Sequence, residues 1–392
     1  MAVPFRQFVV KVNSRCNLAC DYCYMYEAAD QGWRRQPVTA APRTLRRTAQ
    51  RIGEHAATHR LSAVSVVLHG GEPLLTDPDD LGAFVHEVRA RVPAGCAVRA
   101  TVQTNGVLLT ERRLRALAGH RIRVGLSLDG GLAHHNRHRI DHAGRPAWAG
   151  IRRAARLLAE PGHRAGYAGV LCVIDLESDP VEVYESLLRL DPPALALLLP
   201  HGNWTTPPPG LPGGLPDPAA ARPTPYGDWL CAVFDRWWRD DRRRVRIRLF
   251  QECVALLLGL PAAGEALGLQ PFDAVVVETD GSIEQVDALK TAYPGATETG
   301  LDVFRHPFDA ALRHPGVVAR QDGRAALAED CQRCPLVEVC GAGHYAHRYR
   351  EGHGFRNPSV YCADLQRLIR HVAAALRRAA DPEAAPVAGA AP

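Results

Sequence analysis

The sequence predicts an α/β fold, a partial (β/α)6 barrel around a parallel sheet, followed by a smaller cysteine-rich domain. Three observations carry that expectation. Through the first 204 residues, short apolar runs rich in β-branched residues alternate with amphipathic stretches of helical spacing, the pattern that builds a parallel sheet from right-handed crossovers. The polar clusters follow the ends of those runs, where parallel barrels gather their chemistry. Seven of the eleven cysteines fall into two spaced sets, one near the start of the chain and one around residue 340.

Taken in order, Phe5 to Val12 reads as a strand that delivers the chain into the first cysteine loop. Residues 43 to 60 form an Arg-rich amphipathic helix pattern, followed by a buried-strand run over Val64-Ser-Val-Val-Leu68 that ends at His69-Gly70-Gly71-Glu72. A helix over about 78 to 91 precedes Val98 to Gln103, a strand ending at Thr104-Asn105-Gly106. Another helix near 110 to 118 leads to Ile122 to Leu128, which ends at Asp129-Gly130-Gly131. After a helix at about 147 to 159, Tyr167 to Ile174 and Ala194 to Leu199 supply the last two strands, with a helix between them. Residues 205 to 225 are Pro/Gly-rich and read as a linker. From Tyr226, the spacing of Trp229, Leu230, Val233, Phe234, Trp237 and Trp238 gives a helix with a core-packing face, followed by a short helix near 247 to 258. Ala274 to Glu278 and Gly281 to Val286 read as a hairpin around Asp280-Gly281. The expected domains are the barrel over 1–204, the linker over 205–225, a helical bridge with a cysteine domain over 226–375, and a disordered Ala/Pro-rich tail over 376–392.

Composition narrows the function. The net charge of +5 is spread along the chain, with Lys present only as Lys11 and Lys290, which reads as compositional bias and not as a nucleic-acid footprint. The run Arg242-Arg243-Arg244 with Arg246 and Arg248 reads as a solvated helix end or strand flank. No apolar run is long enough to span a bilayer and no signal peptide precedes the first strand, so neither nucleic acid nor membrane is an expected partner. The expected location is the cytoplasm. There, clustered cysteines speak for metal ligation and against disulfides, while Cys96, Cys172, Cys231 and Cys253, each alone among apolar residues, read as buried structural thiols.

The chemistry is centred on Cys16-Asn-Leu-Ala-Cys20-Asp-Tyr-Cys23. Thiolates are soft ligands suited to iron-sulfur clusters. Three of them on a four-iron cluster leave one iron open to a small molecule, as a catalytic metal keeps an open position. A zinc site is the competing reading, but no Cys or His nearby completes a paired knuckle.

Cys16, Cys20 and Cys23, with Tyr22 as the aromatic of CxxxCxΦC, resemble the signature of the radical S-adenosylmethionine (SAM) enzymes. Gly70-Gly71-Glu72 resembles their GGE motif. The resemblance implies a [4Fe-4S] cluster that binds SAM and yields a 5′-deoxyadenosyl radical on reduction. It also implies SAM contacts from Gly70, Gly71, Glu72, Ser127 and Arg139, with Thr104 and Asn105 lining the same mouth and Asp129 facing the substrate. An electron donor such as flavodoxin or ferredoxin is an implied partner.

Cys331-x2-Cys334-x5-Cys340, followed by Cys362, can close a second cluster with four thiolates, although structural zinc uses similar spacings. This set resembles half of the SPASM domain of peptide-modifying radical SAM enzymes. The full pattern has three more cysteines. Here Val286 stands where one belongs, His344 where the Cys-x3-Cys pair would close, and no Cys lies from 266 to 271. One auxiliary [4Fe-4S] cluster is therefore expected. Asp287 follows the lost cysteine, and resemblance to the sulfatase-maturing relatives implies that it takes a proton from substrate. Val277 to Lys290, Cys340 to Arg350 and Asn357 to Asp364 resemble the FxsB-type actinobacterial maturases. That likeness implies a cyclophane cross-link in a ribosomally made precursor peptide, between an aromatic ring carbon and a nearby β-carbon. The alternatives are sulfatase-maturase-like oxidation, thioether formation and a non-catalytic peptide scaffold. The chain starts almost at its first strand, so leader recognition is expected from the barrel, the second domain or a separate leader-binding protein.

Overall fold

The computed structural model describes residues 2–212, 222–240, 245–262 and 264–381. Its organising element is one ten-stranded sheet. Six strands run parallel and in sequence order, β1 (Gln7–Asn13), β2 (Ala63–Gly70), β3 (Ala97–Thr104), β4 (Ile122–Ser127), β5 (Tyr167–Val173) and β6 (Ala194–Leu198). Between them come α1 (Pro42–Thr58), α2 (Pro78–Arg91), α3 (Glu111–Gly119), α4 (Trp148–Ala159) and α5 (Pro180–Leu188). Because the strand order never reverses, right-handed crossovers place all five helices on one face and leave the other face free. The helices start where the sequence supplies caps: Asp77 accepts from the Asp79 N–H, Thr110 from Arg113 and Asp179 from Glu182.

The two-residue strand period sorts the faces. Val10, Val12, Val64, Val66, Leu68, Val102, Val124 and Leu126 are fully buried in the main core. On the opposite phase stand Lys11, paired in register with His69, and Gln103, whose amide donates to Ser127 at 2.8 Å. The inner face is thus polar toward the C-terminal strand ends. A cavity of about 590 Å³ lined by Arg89, Arg99, Arg121 and Arg123 lies elsewhere and includes none of the clustered cysteines.

The sheet continues past the barrel in both directions. After α6 (Pro225–Trp238), β7 (Arg246–Ile247) pairs with β6 and leads into α7 (Arg248–Leu257). On the other side β8 (Ala274–Val277) pairs parallel with β1, β9 (Ser282–Glu284) turns back against it, and β10 (Glu298–Asp302) closes the edge. The hairpin read from Asp280-Gly281 is present, and it extends the barrel's own sheet. The tryptophan-rich face of α6 is core, with Trp229 Nε1 donating to the Ser178 carbonyl and Trp237 Nε1 to that of Val245.

Two expectations are corrected. The chain from Cys362 to Ala380 is a helix packed on α6, so the tail does not begin at 376; Leu365, Leu368, Ile369 and Val372 form its buried stripe. Residues 382–392 of the expected tail, 213–221 of the linker and Arg242-Arg243-Arg244 lie outside the described residues. Cys172, Cys231 and Cys253 are buried, but Cys96 is only half-buried. Among the described residues, no helix is long and apolar enough to cross a membrane.

Candidate active site

The loop after β1 carries Cys16, Cys20 and Cys23 across the C-terminal mouth of the barrel. It is held from three sides. Ala19 N–H donates to the Ile140 carbonyl at 2.8 Å, Cys23 N–H caps the turn on Cys20 at 3.1 Å, and Asn105 Nδ2 reaches the Cys16 sulfur at 3.7 Å. Gly70 and Gly71 let β2 end directly beneath this loop. A Cβ on Gly71 would come within 1.8 Å of Tyr26 Oη and 2.4 Å of the Arg15 carbonyl, so only glycine fits there. Burial pushes Cys16 up to about 12 and Cys20 up to about 11, and each thiol feels the charge of its neighbours. Such thiols deprotonate when a metal binds.

The carboxylates around the loop are more committed than the sequence suggests. Glu72 is fully buried, with Oε1 accepting from Leu74 N–H at 2.9 Å and Thr104 Oγ1 at 2.7 Å, and Oε2 accepting from Asn105 N–H at 2.9 Å. Its side chain clasps the ends of β2 and β3, while the Gly71 and Glu72 N–H groups donate to the Asn13 and Arg15 carbonyls, each at 2.9 Å, and so tie this motif to the loop after β1. Asp129, expected to face the substrate, has both oxygens taken by protein donors. It accepts from Tyr22 Oη at 2.6 Å, from Arg139 Nε at 2.8 Å and Nη2 at 2.9 Å, and from Val173 N–H at 3.1 Å. Arg139 therefore presents its fork to Asp129, beneath the Tyr22 ring, where the sequence suggested a free guanidinium for a ligand carboxylate. Ser127 stands at the end of β4 with Gln103 as its donor.

Asp287 enters from the turn after β9 and meets Lys11 of the inner face, with Lys11 Nζ at 2.7 Å from Oδ2. Both side chains are buried. Burial works to raise the Asp287 carboxyl, but Lys11, Lys290 and His69 outweigh it and hold it below the usual range. Among the described residues, its Oδ1 has no hydrogen-bond partner. Burial, with Lys11 alongside, brings His69 down to about 4, while burial and then the nearby Asp287 charge push the Tyr24 hydroxyl up. Lys290 sits between Glu278 at 3.5 Å and Glu284 at 3.4 Å.

The second cysteine set gathers under the C-terminal helix. Burial raises Cys331 to about 11 and Cys340 to about 12, the charges of Cys362 and Cys334 add to both, and Cys334 also raises Cys362. After Cys340 the backbone runs left-handed through Gly341, Ala342 and Gly343, stitched by Arg348 donating to all three carbonyls. That loop places His344 and His347 against His201, which follows β6 and packs edge-on against Tyr24 with ring centres 4.7 Å apart. Sulfurs bound to one zinc sit about 2.3 Å from it and so within about 4 Å of one another. Among the described residues, the metal-capable groups with ligand atoms within 4.8 Å of one another contain only His, Asp and Glu, and neither cysteine set is among them.

Lys11, Tyr24, His69, His201, His347 and Lys290 were not singled out from the sequence as site residues. One signal was there: the chain's two lysines, among 47 basic residues, are both buried beside carboxylates of this region.

Residues 10–185 match the family model of the radical SAM superfamily. Over 384 residues the chain is 25% identical to a serine-type anaerobic sulfatase-maturating enzyme of Bacteroides thetaiotaomicron, covering 95% of this chain and 90% of that protein. It is 26% identical over 356 residues to a cysteine-type anaerobic sulfatase-maturating enzyme of Clostridium perfringens, covering 87% and 88%. In fold it resembles anSMEcpe with bound AdoMet, with a TM-score of 0.78 at 21% identity over 96% of this chain and 99% of that one. It also resembles Streptococcus suis SuiB bound to its precursor peptide SuiA, with a TM-score of 0.60 at 15% identity over 92% and 76%.

Proposed function

With residues 10–185 forming a radical SAM domain and the chain a radical SAM enzyme, we propose that it oxidises a residue of a peptide substrate at its β-carbon. The cofactors of this family are a [4Fe-4S] cluster and SAM. The observation that carries the reading is the pairing of the Cys16/Cys20/Cys23 mouth with a buried carboxylate, Asp287, that has one oxygen fixed and the other free. Cys16, Cys20 and Cys23 would hold the SAM-binding cluster, and Cys331, Cys334, Cys340 and Cys362 one auxiliary cluster. When bound, these groups supply the radical that removes a hydrogen atom from substrate and a sink for the electron that follows. The chain's own residues handle the rest. The Gly70–Gly71 backbone lies against the loop and gives SAM a close approach. Asp287, kept anionic by Lys11, accepts the proton that the substrate must lose with that electron. Neutral His69 and the Tyr24 hydroxyl border the same space.

Loss of one hydrogen atom, one proton and one electron removes two hydrogens in all. On a Ser side chain this gives an aldehyde, the sulfatase-maturase-like outcome, and the near full-length resemblance to serine-type and cysteine-type enzymes favours it. The second reading is the cyclophane cross-link, favoured by Val286 and His344 standing where cysteines of a further auxiliary cluster would be. The mass of a Ser-derived product does not separate the two, because both lose two hydrogens. A carbonyl-reactive hydrazide does. Peptides carrying Ser, or an aromatic residue two positions before a β-CH₂ residue, are incubated with the reconstituted enzyme. A hydrazide adduct on the Ser peptide supports maturase chemistry, and an unreactive product resisting fragmentation inside a three-residue ring supports the cross-link. SAM cleavage without change in any peptide would sink both.

A further inference from the structure

We propose that His201, His344 and His347 form a binding site for one divalent transition-metal ion of the zinc class, beside the reaction chamber and separate from both cysteine sets. A ring nitrogen of each lies within 4.8 Å of the others. His201 Nδ1 and His347 Nε2 are 3.2 Å apart. Zinc binds imidazole at about 2.0–2.1 Å in a tetrahedron, which sets neighbouring ligand nitrogens about 3.3 Å apart. This pair therefore already has the spacing of one edge of such a site.

The other metal-capable sets differ in kind. His55, His59 and Asp309, and likewise His134, His135 and Glu182, each have a carboxylate bridging two imidazoles, and the set of Glu111, Glu160 and His163 is mostly carboxylate. Among the described residues, the set at His201 is the one built of imidazoles alone. Two lone pairs at this distance repel unless a proton or a cation lies between them. The carboxylate here stands behind a ligand: Glu265 Oε2 is 3.4 Å from His344 Nε2 and is itself anchored by Arg320. That is how a carboxylate orients a ligating histidine and fixes its tautomer. With Nε2–H turned to Glu265, the lone pair of His344 is left on Nδ1, where it accepts from the Ala346 N–H at 3.2 Å, a bond that the ion would replace.

Three neutral nitrogens leave a fourth position open, the arrangement of reactive and not of structural zinc. His201 abuts Tyr24 and lies within the field of Asp287, so that position adjoins the substrate space. One ligand comes from the end of β6 and two from the turn after Cys340, and the ion would tie the cysteine region to the barrel mouth. The site does not depend on which oxidation the enzyme performs.

The test uses enzyme with its iron-sulfur clusters reconstituted, so that the clustered cysteines are occupied. It is equilibrated with Zn²⁺ against a weak chelator, counted for zinc and iron, and examined at the zinc K-edge. About one zinc per chain with only nitrogen or oxygen neighbours at about 2.0–2.1 Å is expected. Glu265→Gln should weaken zinc binding about 10–100-fold, and His201→Ala and His344→Ala by more, with iron per chain unchanged. Absence of zinc, a sulfur shell at about 2.3 Å, or full zinc retention in the His201→Ala/His344→Ala variant would overturn the site. If a variant loses iron as well, its fold has failed and the zinc neighbours in the unaltered enzyme decide. Peptide oxidation can succeed or fail without altering this zinc count, so the two readings fall separately.

Discussion

Two buried aspartates face each other in role across this barrel mouth. Asp129 lies among the loops after β4 and β5 with every approach filled: Tyr22, a two-pronged Arg139 and the Val173 N–H all donate to it. Asp287 lies in the extension beyond β9, with Lys11 on one oxygen and no hydrogen-bond partner, among the described residues, on the other. A buried carboxylate whose lone pairs are all used is a joint, because any new bond would cost an old one. A buried carboxylate with an idle oxygen carries an unmet cost, and a substrate that donates there recovers it. On the proposed function, the difference gives scaffold to one region and chemistry to the other.

The strongest way to break this comparison is Asp129→Asn. An amide in that position turns one acceptor into a donor facing Arg139, Tyr22 or Val173, and it leaves the Arg139 guanidinium buried without a counter-charge. No other carboxylate among the described residues forms a salt bridge with Arg139. Breaking a buried pair from one side costs about 3–5 kcal/mol, so a large fall in thermal midpoint with loss of iron from the Cys16 loop is expected. A midpoint within a degree or two of the parent would mean that Asp129 is not a joint.

Asp287→Asn sharpens the other side. The amide oxygen still accepts from Lys11, and Lys11 keeps Glu278 within its field, so the fold should lose less than in Asp129→Asn. Turnover should fall much further, by about 10²–10⁴-fold if a positioned proton acceptor is lost. The diagnostic is uncoupling, with 5′-deoxyadenosine still formed while oxidised peptide disappears. Equal loss of both products would remove Asp287 from the proton step.

What the sequence made legible follows from how local each feature is. The strand ends, the cysteine loop and Gly70-Gly71-Glu72 are each written in a few consecutive residues, and they lie at the mouth of the sheet as expected. The partners of those residues are not local. Arg139 reads as an open fork because nothing nearby in sequence reveals that Asp129 fills it. Lys11 meets Asp287, and His201 meets His344 and His347, only through the sheet extension and the turn after Cys340. Lys11 and Lys290 were visible as the chain's lone lysines, but rarity of a residue type gives no coordinate. The C-terminal helix is a different failure. Leu365, Leu368, Ile369 and Val372 have helical spacing, and the Ala-rich run after them obscured a pattern that was present.

Glu72→Gln tests the smallest and most local version of the same rule. Glu72 is a joint like Asp129, but its partners are two backbone N–H groups and a hydroxyl, none of them charged. The hydroxyl of Thr104 can rotate to accept; the Asn105 N–H cannot. One amide hydrogen of the glutamine must therefore point at a fixed donor, for a cost of about 1–3 kcal/mol. Burial already raises the Glu72 carboxyl above its usual range, so removing the charge returns part of that cost, and a net loss near about 1 kcal/mol is expected. The functional trace should be sharper than the thermal one. Asn105 carries the side chain that reaches the Cys16 sulfur at 3.7 Å, so displacing its backbone alters the environment of that thiolate. A shifted reduction potential for the cluster proposed at Cys16 with a nearly unchanged melting point would show that the clasp acts through Asn105, and an unshifted potential would confine Glu72 to holding two strand ends together.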